Sequence, residues 1–242
     1  MTAIEPTRPP SREELIHVLC EAAELEHNLM CTYLYAAFSL KQPADESLTA
    51  AEAEAVQRWR KHIFHIGAQE MLHLALVQNL LTATGAAPHL SRPNFPQPAS
   101  HYPAGVHLAL VPFGEEALRH FMFLERPEGM ELEVAQGIDA PVHEAVPLME
   151  EGDIVPQPQD FATVGHLYRS IEHGIDHLAE KFGERNLFVG PPRAQAAGQP
   201  LRGAAGVDHH RVGAVGLHLG VLAGMGAQGG GAVQPLAALV HV

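Results

Sequence analysis

Two long segments with apolar residues at helical spacing constrain the fold of this chain more than any other feature. They run from about residue 11 to 40 and from about residue 49 to 84. Each opens on a capping box, in which Ser11 or Thr49 is followed three residues later by Glu. Gly85 follows the second segment, where a left-handed helix cap is expected. Helices of this length exceed the average for globular proteins, which favours a helical bundle.

The rest of the first 192 residues adds one long helix, one short helix and irregular connections. An amphipathic pattern predicts the third long helix from about residue 160 to 183, and a short helix is expected near residues 115–125. Six prolines between residues 86 and 112 exclude a regular helix there. We therefore predict an all-α fold, a helical bundle with long Pro-rich loops between its helices.

The composition changes sharply near residue 192. From Pro191 to Val242 the chain has 11 glycines and no Lys, Glu, Phe, Tyr or Trp. Each glycine costs a helix about 1 kcal/mol relative to alanine. We expect one helical domain over residues 1–192 and a Gly-rich, poorly ordered tail over residues 193–242.

Charge and cysteine content limit the partners and the compartment. With 28 acidic and 15 basic residues, the formal net charge is -13, so neither a nucleic acid nor an anionic membrane is an expected partner. Cys20 and Cys31 would lie about 16 Å apart on one helix, beyond the reach of a disulfide. Reduced thiols and a cytoplasmic location are expected.

Each of the three long helices carries a glutamate within its apolar stripe. At about 100° per residue, Glu26 falls in the stripe of the first helix. Glu70 falls in that of the second, with His73 about 60° round on the same face. Glu172 lies in the stripe of the third helix, whereas His166 is expected on its far side.

These inward carboxylates favour a metal site. A buried carboxylate costs several kcal/mol unless it is paired or bound to metal, and few cations are placed to face these positions. Glu70 and His73 form the Glu-x-x-His element of carboxylate-bridged di-iron and di-manganese bundles. Carboxylate oxygens with one imidazole suit iron or manganese. The alternative is that Glu26, Glu70 and Glu172 lie at helix edges, pair with histidines and extend to solvent.

Several sequence runs resemble the ferritin-like iminophenyl-pyruvate dimer synthase family. The similarity covers roughly residues 10–192 and includes the Pro-rich loop as well as the helices. The runs that carry it are AELEHNLM (23–30), YLYAAFSL (33–40), EMLHL (70–74), RPNFP (92–96), YPAGV (102–106), LERP (124–127) and FATVGHLY (161–168).

This resemblance implies a ferritin-like fold and a pair of iron ions, or manganese, bound by Glu26, Glu70, His73 and Glu172. It also implies an oxidative step on a small molecule, an imine derived from an amino acid, in secondary metabolism. The family pattern has a fourth helix with a further glutamate and histidine, but the matching stretch here, residues 227–231, reads AQGGG. Either the site is degenerate, or the reading frame changes near residue 195 and the tail is a remnant of that helix.

Two functions remain open from the sequence. One is a non-haem di-iron-type oxidoreductase with no separate catalytic residues besides the metal ligands. The other is a non-catalytic metal-binding or degenerate scaffold, which the missing fourth helix favours. Iron storage is disfavoured because the long Pro-rich insert would obstruct regular packing in a shell. A homo-oligomer is neither required nor excluded.

Overall fold

The fold is a bundle of helices, as the sequence predicts. The computed structural model describes residues 11–42, 47–91, 94–97, 108–125 and 164–195. These residues contain no strand, and their only pairing of extended backbone is an isolated bridge between Gln97 and Leu108. The elements, in order, are α1 (Arg12–Ser39), α2 (Ala50–Ala83), α3 (Glu115–Leu124), α4 (Val164–Phe182), α5 (Glu184–Leu187) and a 3-10 turn (Pro192–Ala194).

The helix ends follow from the residues that the sequence places there. Thr49 and Glu52 form a complete capping box, and the side chain of Ser11 accepts a hydrogen bond from the backbone N–H of Glu14 at 3.2 Å. Gly85 and Gly183 have φ angles of 88° and 80°, the left-handed conformation that favours glycine after a helix. The predicted ends of α1 and α2 are confirmed to within one residue.

Helices α1 and α2 form an antiparallel hairpin. The rings of Phe38 and Phe64 lie 5.3 Å apart, and further along the pair Glu26 faces His73. Positions later in α1 therefore lie beside positions earlier in α2, so the two helices run in opposite directions. The buried apolar faces of the two helices supply most of the core, to which α4 contributes Leu167, Ile171, Ile175 and Leu178.

Helix α3 is held against α1 by aromatic contacts. The rings of Tyr33 and Phe121 lie 4.5 Å apart, and both residues are fully buried. Such a pair stabilises the contact by about 0.5–1.5 kcal/mol beyond its burial. The packing places the C-terminal end of α3, and with it Glu125, against the middle of the bundle.

The chain returns to the end of α2 after α5. The N–H of Gly190 donates to the carbonyl of Ala83 at 2.9 Å, and Val189 lies against Gly85. A Cβ atom at Gly190 would lie 1.7 Å from the carbonyl oxygen of Thr82, so only glycine fits here. This contact fixes the α4–α5 unit to the end of α2.

Some expectations lie outside the described residues. They concern residues 196–242, which make up nearly all of the Gly-rich tail, and most of the Pro-rich connection before α3. The division at residue 192 and the change of reading frame stay predictions. No helix that the structure describes is both long and apolar enough to cross a bilayer.

Candidate metal centre

The hairpin of α1 and α2 brings Glu26, Glu70 and His73 together. Their exposed fractions are 1%, 5% and 8%. Nδ1 of His73 lies 3.4 Å from Oε2 of Glu26 and 3.2 Å from Oε2 of Glu70. One donor atom from each residue can be chosen so that all lie within 4.8 Å of one another. Within the described part of the chain, no other such group of His, Cys, Asp or Glu occurs.

The sequence places these side chains correctly because each belongs to the buried face of its helix. Glu26 is surrounded in the sequence by the buried residues Leu25 and Leu29, and Glu70 by Ile66 and Val77. His73 follows Glu70 by about one helical turn, so both side chains project from the same face of α2. Of the alternative, extension to solvent does not hold for Glu26 or Glu70, but pairing with a histidine does, since both carboxylates contact His73.

Burial and mutual contact shift the pKa values of the three residues in different directions. Desolvation raises the pKa of Glu70 well above its ordinary value. Desolvation also opposes ionisation of Glu26, but the hydrogen bond and charge of His73, together with hydrogen bonds from Glu70 and Tyr168, outweigh it and lower the pKa of Glu26. Burial alone would lower the pKa of His73, yet the two carboxylates raise it to about 11. Burial therefore favours the neutral form of Glu70, while the two carboxylates favour the imidazolium form of His73.

The same residues fit a hard metal cation. Both carboxylates face one imidazole, since Nδ1 of His73 lies 3.4 Å from Oε2 of Glu26 and 3.2 Å from Oε2 of Glu70. A single Nδ1–H cannot point at both oxygens, whereas buried polar atoms are nearly always fully bonded. Carboxylate oxygens and one imidazole form a donor set that suits iron or manganese. A cation among these atoms would satisfy both carboxylates.

Glu125 is a further acidic residue at this site, and the sequence analysis did not single it out as a ligand. It follows the last residue of α3, and its Oε1 accepts a hydrogen bond of 2.6 Å from the hydroxyl of Tyr33. Desolvation raises the pKa of Glu125. The charge of Glu26 raises this pKa further, whereas the hydrogen bond from Tyr33 and the charge of His73 lower it. The one signal in the sequence was the run LERP at residues 124–127.

Two buried tyrosines bond to the carboxylates of the site. The hydroxyl of Tyr168 in α4 donates to Oε1 of Glu26, as Tyr33 donates to Glu125. Desolvation, followed by the charge of the nearby glutamates, raises the pKa of both tyrosines well above 10. Both phenols therefore remain protonated donors.

Glu172 is not brought into this group. It lies on α4 about one turn after Tyr168 and is partly exposed, while the other three predicted ligands are buried. It is absent from the group of donors within 4.8 Å of one another. Its role as a ligand stays a prediction.

His166, which was expected on the far side of α4 from Glu172, is buried there rather than exposed. This residue is 7% exposed, and Ser170 and Gly174, which follow it at intervals of about one turn, are also buried. The buried face of α4 is therefore wider than its apolar stripe. Small and polar residues form the part of this buried face that a pattern of apolar residues does not predict.

Comparisons with known proteins agree with the helical fold. The sequence model of the family described as Ferritin-like matches residues 19–230. A dichlorochromopyrrolate synthase from Lentzea aerocolonigenes is 25% identical over 203 residues, which are 74% of this chain and 19% of that protein. A 2-imino-3-(indol-3-yl)propanoate dimerase from Chromobacterium violaceum is 31% identical over 139 residues, 50% of this chain and 14% of that protein. The chain thus spans less than a fifth of either relative, and no solved structure matches it.

Proposed function

This chain belongs to the ferritin-like family, and from that premise we propose that it is a metal-dependent oxidoreductase acting on imines derived from amino acids. The substrate class comes from the names of its relatives, of which one is a 2-imino-3-(indol-3-yl)propanoate dimerase and the other a dichlorochromopyrrolate synthase. Both relatives are much longer than this chain, so the activity of the whole proteins is extended to it as a proposal.

One observation carries the proposal. A glutamate from α1 and a Glu-x-x-His element from α2 meet in the core, with one donor atom from each residue within 4.8 Å of the others. Di-iron and di-manganese bundles build their sites from these elements, with inward glutamates on facing helices. Burying two carboxylates against one histidine is costly for a site that serves only the packing of the core.

The residues have separable roles in this proposal. Glu70 and His73 would hold one metal ion, and Glu26 would add a carboxylate to its donor set from α1. Glu125 supplies a further carboxylate from α3, and Glu172 remains a candidate from α4. A bound pair of iron ions would supply electron transfer from substrate to dioxygen, and the apolar surroundings of the site would exclude bulk water from it.

A second candidate function is a metal-binding scaffold without catalysis. It is favoured by the sequence of residues 227–231, AQGGG, where the family pattern has a glutamate and a histidine. Such a protein would bind metal through Glu26, Glu70 and His73 but would not consume a substrate.

Metal content and oxygen consumption together separate these functions. Protein purified from iron-supplemented cells is analysed for iron, and oxygen uptake is followed with 2-imino-3-(indol-3-yl)propanoate generated in place. We expect bound iron and imine-dependent oxygen uptake that His73→Ala removes. Bound iron without oxygen uptake would identify the scaffold, and absence of any bound metal would reject both functions.

Metal binding at pH 7 is expected to release protons. His73, with its pKa raised to about 11, must lose a proton before its Nδ1 can bind a metal, and Glu70 must ionise as well. Titration of metal-free protein with Mn²⁺ in weak buffer should release about one proton from His73, with a further contribution from Glu70. A pH indicator measures the release. Binding without proton release would contradict the charge distribution described for this site.

A further inference from the structure

Two tyrosines on different helices each occupy one oxygen of a carboxylate at the candidate metal centre. Tyr168 of α4 donates to Oε1 of Glu26 in α1, and Tyr33 of α1 donates to Oε1 of Glu125 after α3 at 2.6 Å. The two bonds therefore connect α1 with α4 and α1 with α3. Neither tyrosine belongs to the predicted set of metal ligands.

Each bond leaves one carboxylate oxygen for another partner. Oε1 of Glu26 accepts from Tyr168, whereas Oε2 faces His73 at 3.4 Å from its Nδ1. A carboxylate that gives one oxygen to a phenol can offer a metal only the other without losing that bond. The geometry thus distinguishes the two oxygens of Glu26 before any metal binds.

Packing holds both phenols firmly in place. Tyr33 and Tyr168 are 0% and 3% exposed. Tyr33 lies about two turns after Glu26 on the same face of α1, with its ring against Phe121. Tyr168 lies between the buried residues Leu167 and Ile171 on α4. Rings enclosed in this way cannot leave their carboxylates without disturbing the core.

We propose that Tyr168 and Tyr33 are positioning residues that hold Glu26 and Glu125 in coordination through a single oxygen. This inference rests on the proposed function, since it needs a metal at the site. Its consequence is that a coordination position otherwise taken by the second carboxylate oxygen stays open to a small molecule. Catalytic metal sites depend on such an open position.

The test compares Tyr168→Phe and Tyr33→Phe with wild-type protein by titration with Co²⁺ and visible absorption spectroscopy. Each change removes the hydroxyl and keeps the ring. Tyr35→Phe is the matched control, because Tyr35 lies on the same helix as Tyr33 and is 41% exposed. Loss of a residue that orients a ligand weakens metal binding about 10–100-fold.

We expect Tyr168→Phe to weaken Co²⁺ binding by about 10-fold or more and to change the spectrum. Released from the phenol, Glu26 can bind through both oxygens, and the higher coordination number lowers the visible absorption of Co²⁺. Tyr33→Phe should act in the same direction through Glu125. Tyr35→Phe should leave both affinity and spectrum unchanged.

The outcomes separate this inference from the proposed function. If wild-type protein binds no Co²⁺, the proposed metal centre itself fails. If wild-type protein binds Co²⁺ and both variants match it in affinity and spectrum, only the positioning role is overturned. Weaker binding with an unchanged spectrum also overturns it, because the tyrosines would then stabilise the bundle without setting the coordination. Circular dichroism of each variant establishes that folded protein is compared.

Discussion

Replacing His73 with alanine should abolish most metal binding, with a loss of affinity greater than about 100-fold. Changes in residues that only orient ligands already cost about 10–100-fold, and His73 is the only imidazole in the donor group. Its Nδ1 lies within 3.4 Å of both carboxylates, so its loss removes the donor that joins them. Titration of metal-free protein with Mn²⁺, followed by electron paramagnetic resonance of the free ion, measures the affinity.

His65→Ala provides the matched control for this change. His65 lies on the same helix, about two turns before His73, but it is exposed. We expect the Mn²⁺ affinity of His65→Ala to remain within about twofold of wild type, since a surface histidine does not contact the site. Equal losses in the two variants would show that the effect comes from α2 in general, and would contradict the assignment of His73 as a ligand.

Replacing Gly190 with alanine should destabilise the fold by about 3 kcal/mol. The added Cβ would lie 1.7 Å from the carbonyl oxygen of Thr82 and 2.8 Å from its carbon. These are backbone atoms of α2 near its C-terminal end, and they cannot rotate away as a side chain could. The hydrogen bond from Gly190 to Ala83 must then lengthen or break. Urea unfolding monitored by circular dichroism measures the change in the free energy of unfolding.

Gly67→Ala is the matched control, because Gly67 also lies at a contact between elements. Its added Cβ would meet Leu34 at 3.5 Å, an ordinary van der Waals distance. Alanine is the better helix former by about 1 kcal/mol, so the free energy of unfolding should stay the same or rise. If Gly190→Ala unfolds at the same urea concentration as wild type, the α4–α5 unit is not fixed to α2 in the way described.

The long helices were predictable because their signals are local. Capping residues at Ser11 and Thr49, a glycine at position 85 and an uninterrupted apolar stripe all act within a few residues of the helix they define. The placement of Glu26 and Glu70 followed from the same stripes, since a residue within an apolar face is buried whichever helix covers it. The cost of burying a carboxylate then indicated a metal.

The contribution of α3 could not be predicted from such signals. This helix has only 10 residues, and Glu125 comes just after its end, where helical periodicity no longer assigns a direction. Glu125 reaches the site because Phe121 packs on Tyr33, a contact between residues far apart in the chain. Tertiary contacts of this kind are not encoded in a local pattern.

Helical periodicity also left the position of α4 undetermined. It gives the direction of a side chain around the helix axis. It does not give the position of the helix along its own axis relative to the helices that it packs against. Tyr168 lies at the height of Glu26, so Glu172 lies about one turn further along. The stripe that contains both residues could not distinguish which of them meets the site.

Anomalous diffraction from crystals of the full chain grown with Mn²⁺ or Fe²⁺ tests the metal centre most directly. We expect an anomalous peak among Oε2 of Glu26, Oε2 of Glu70 and Nδ1 of His73, and none at this position in crystals of His73→Ala. Ordered Glu26, Glu70 and His73 side chains with no anomalous peak among them, at a metal concentration that saturates binding in solution, would contradict it.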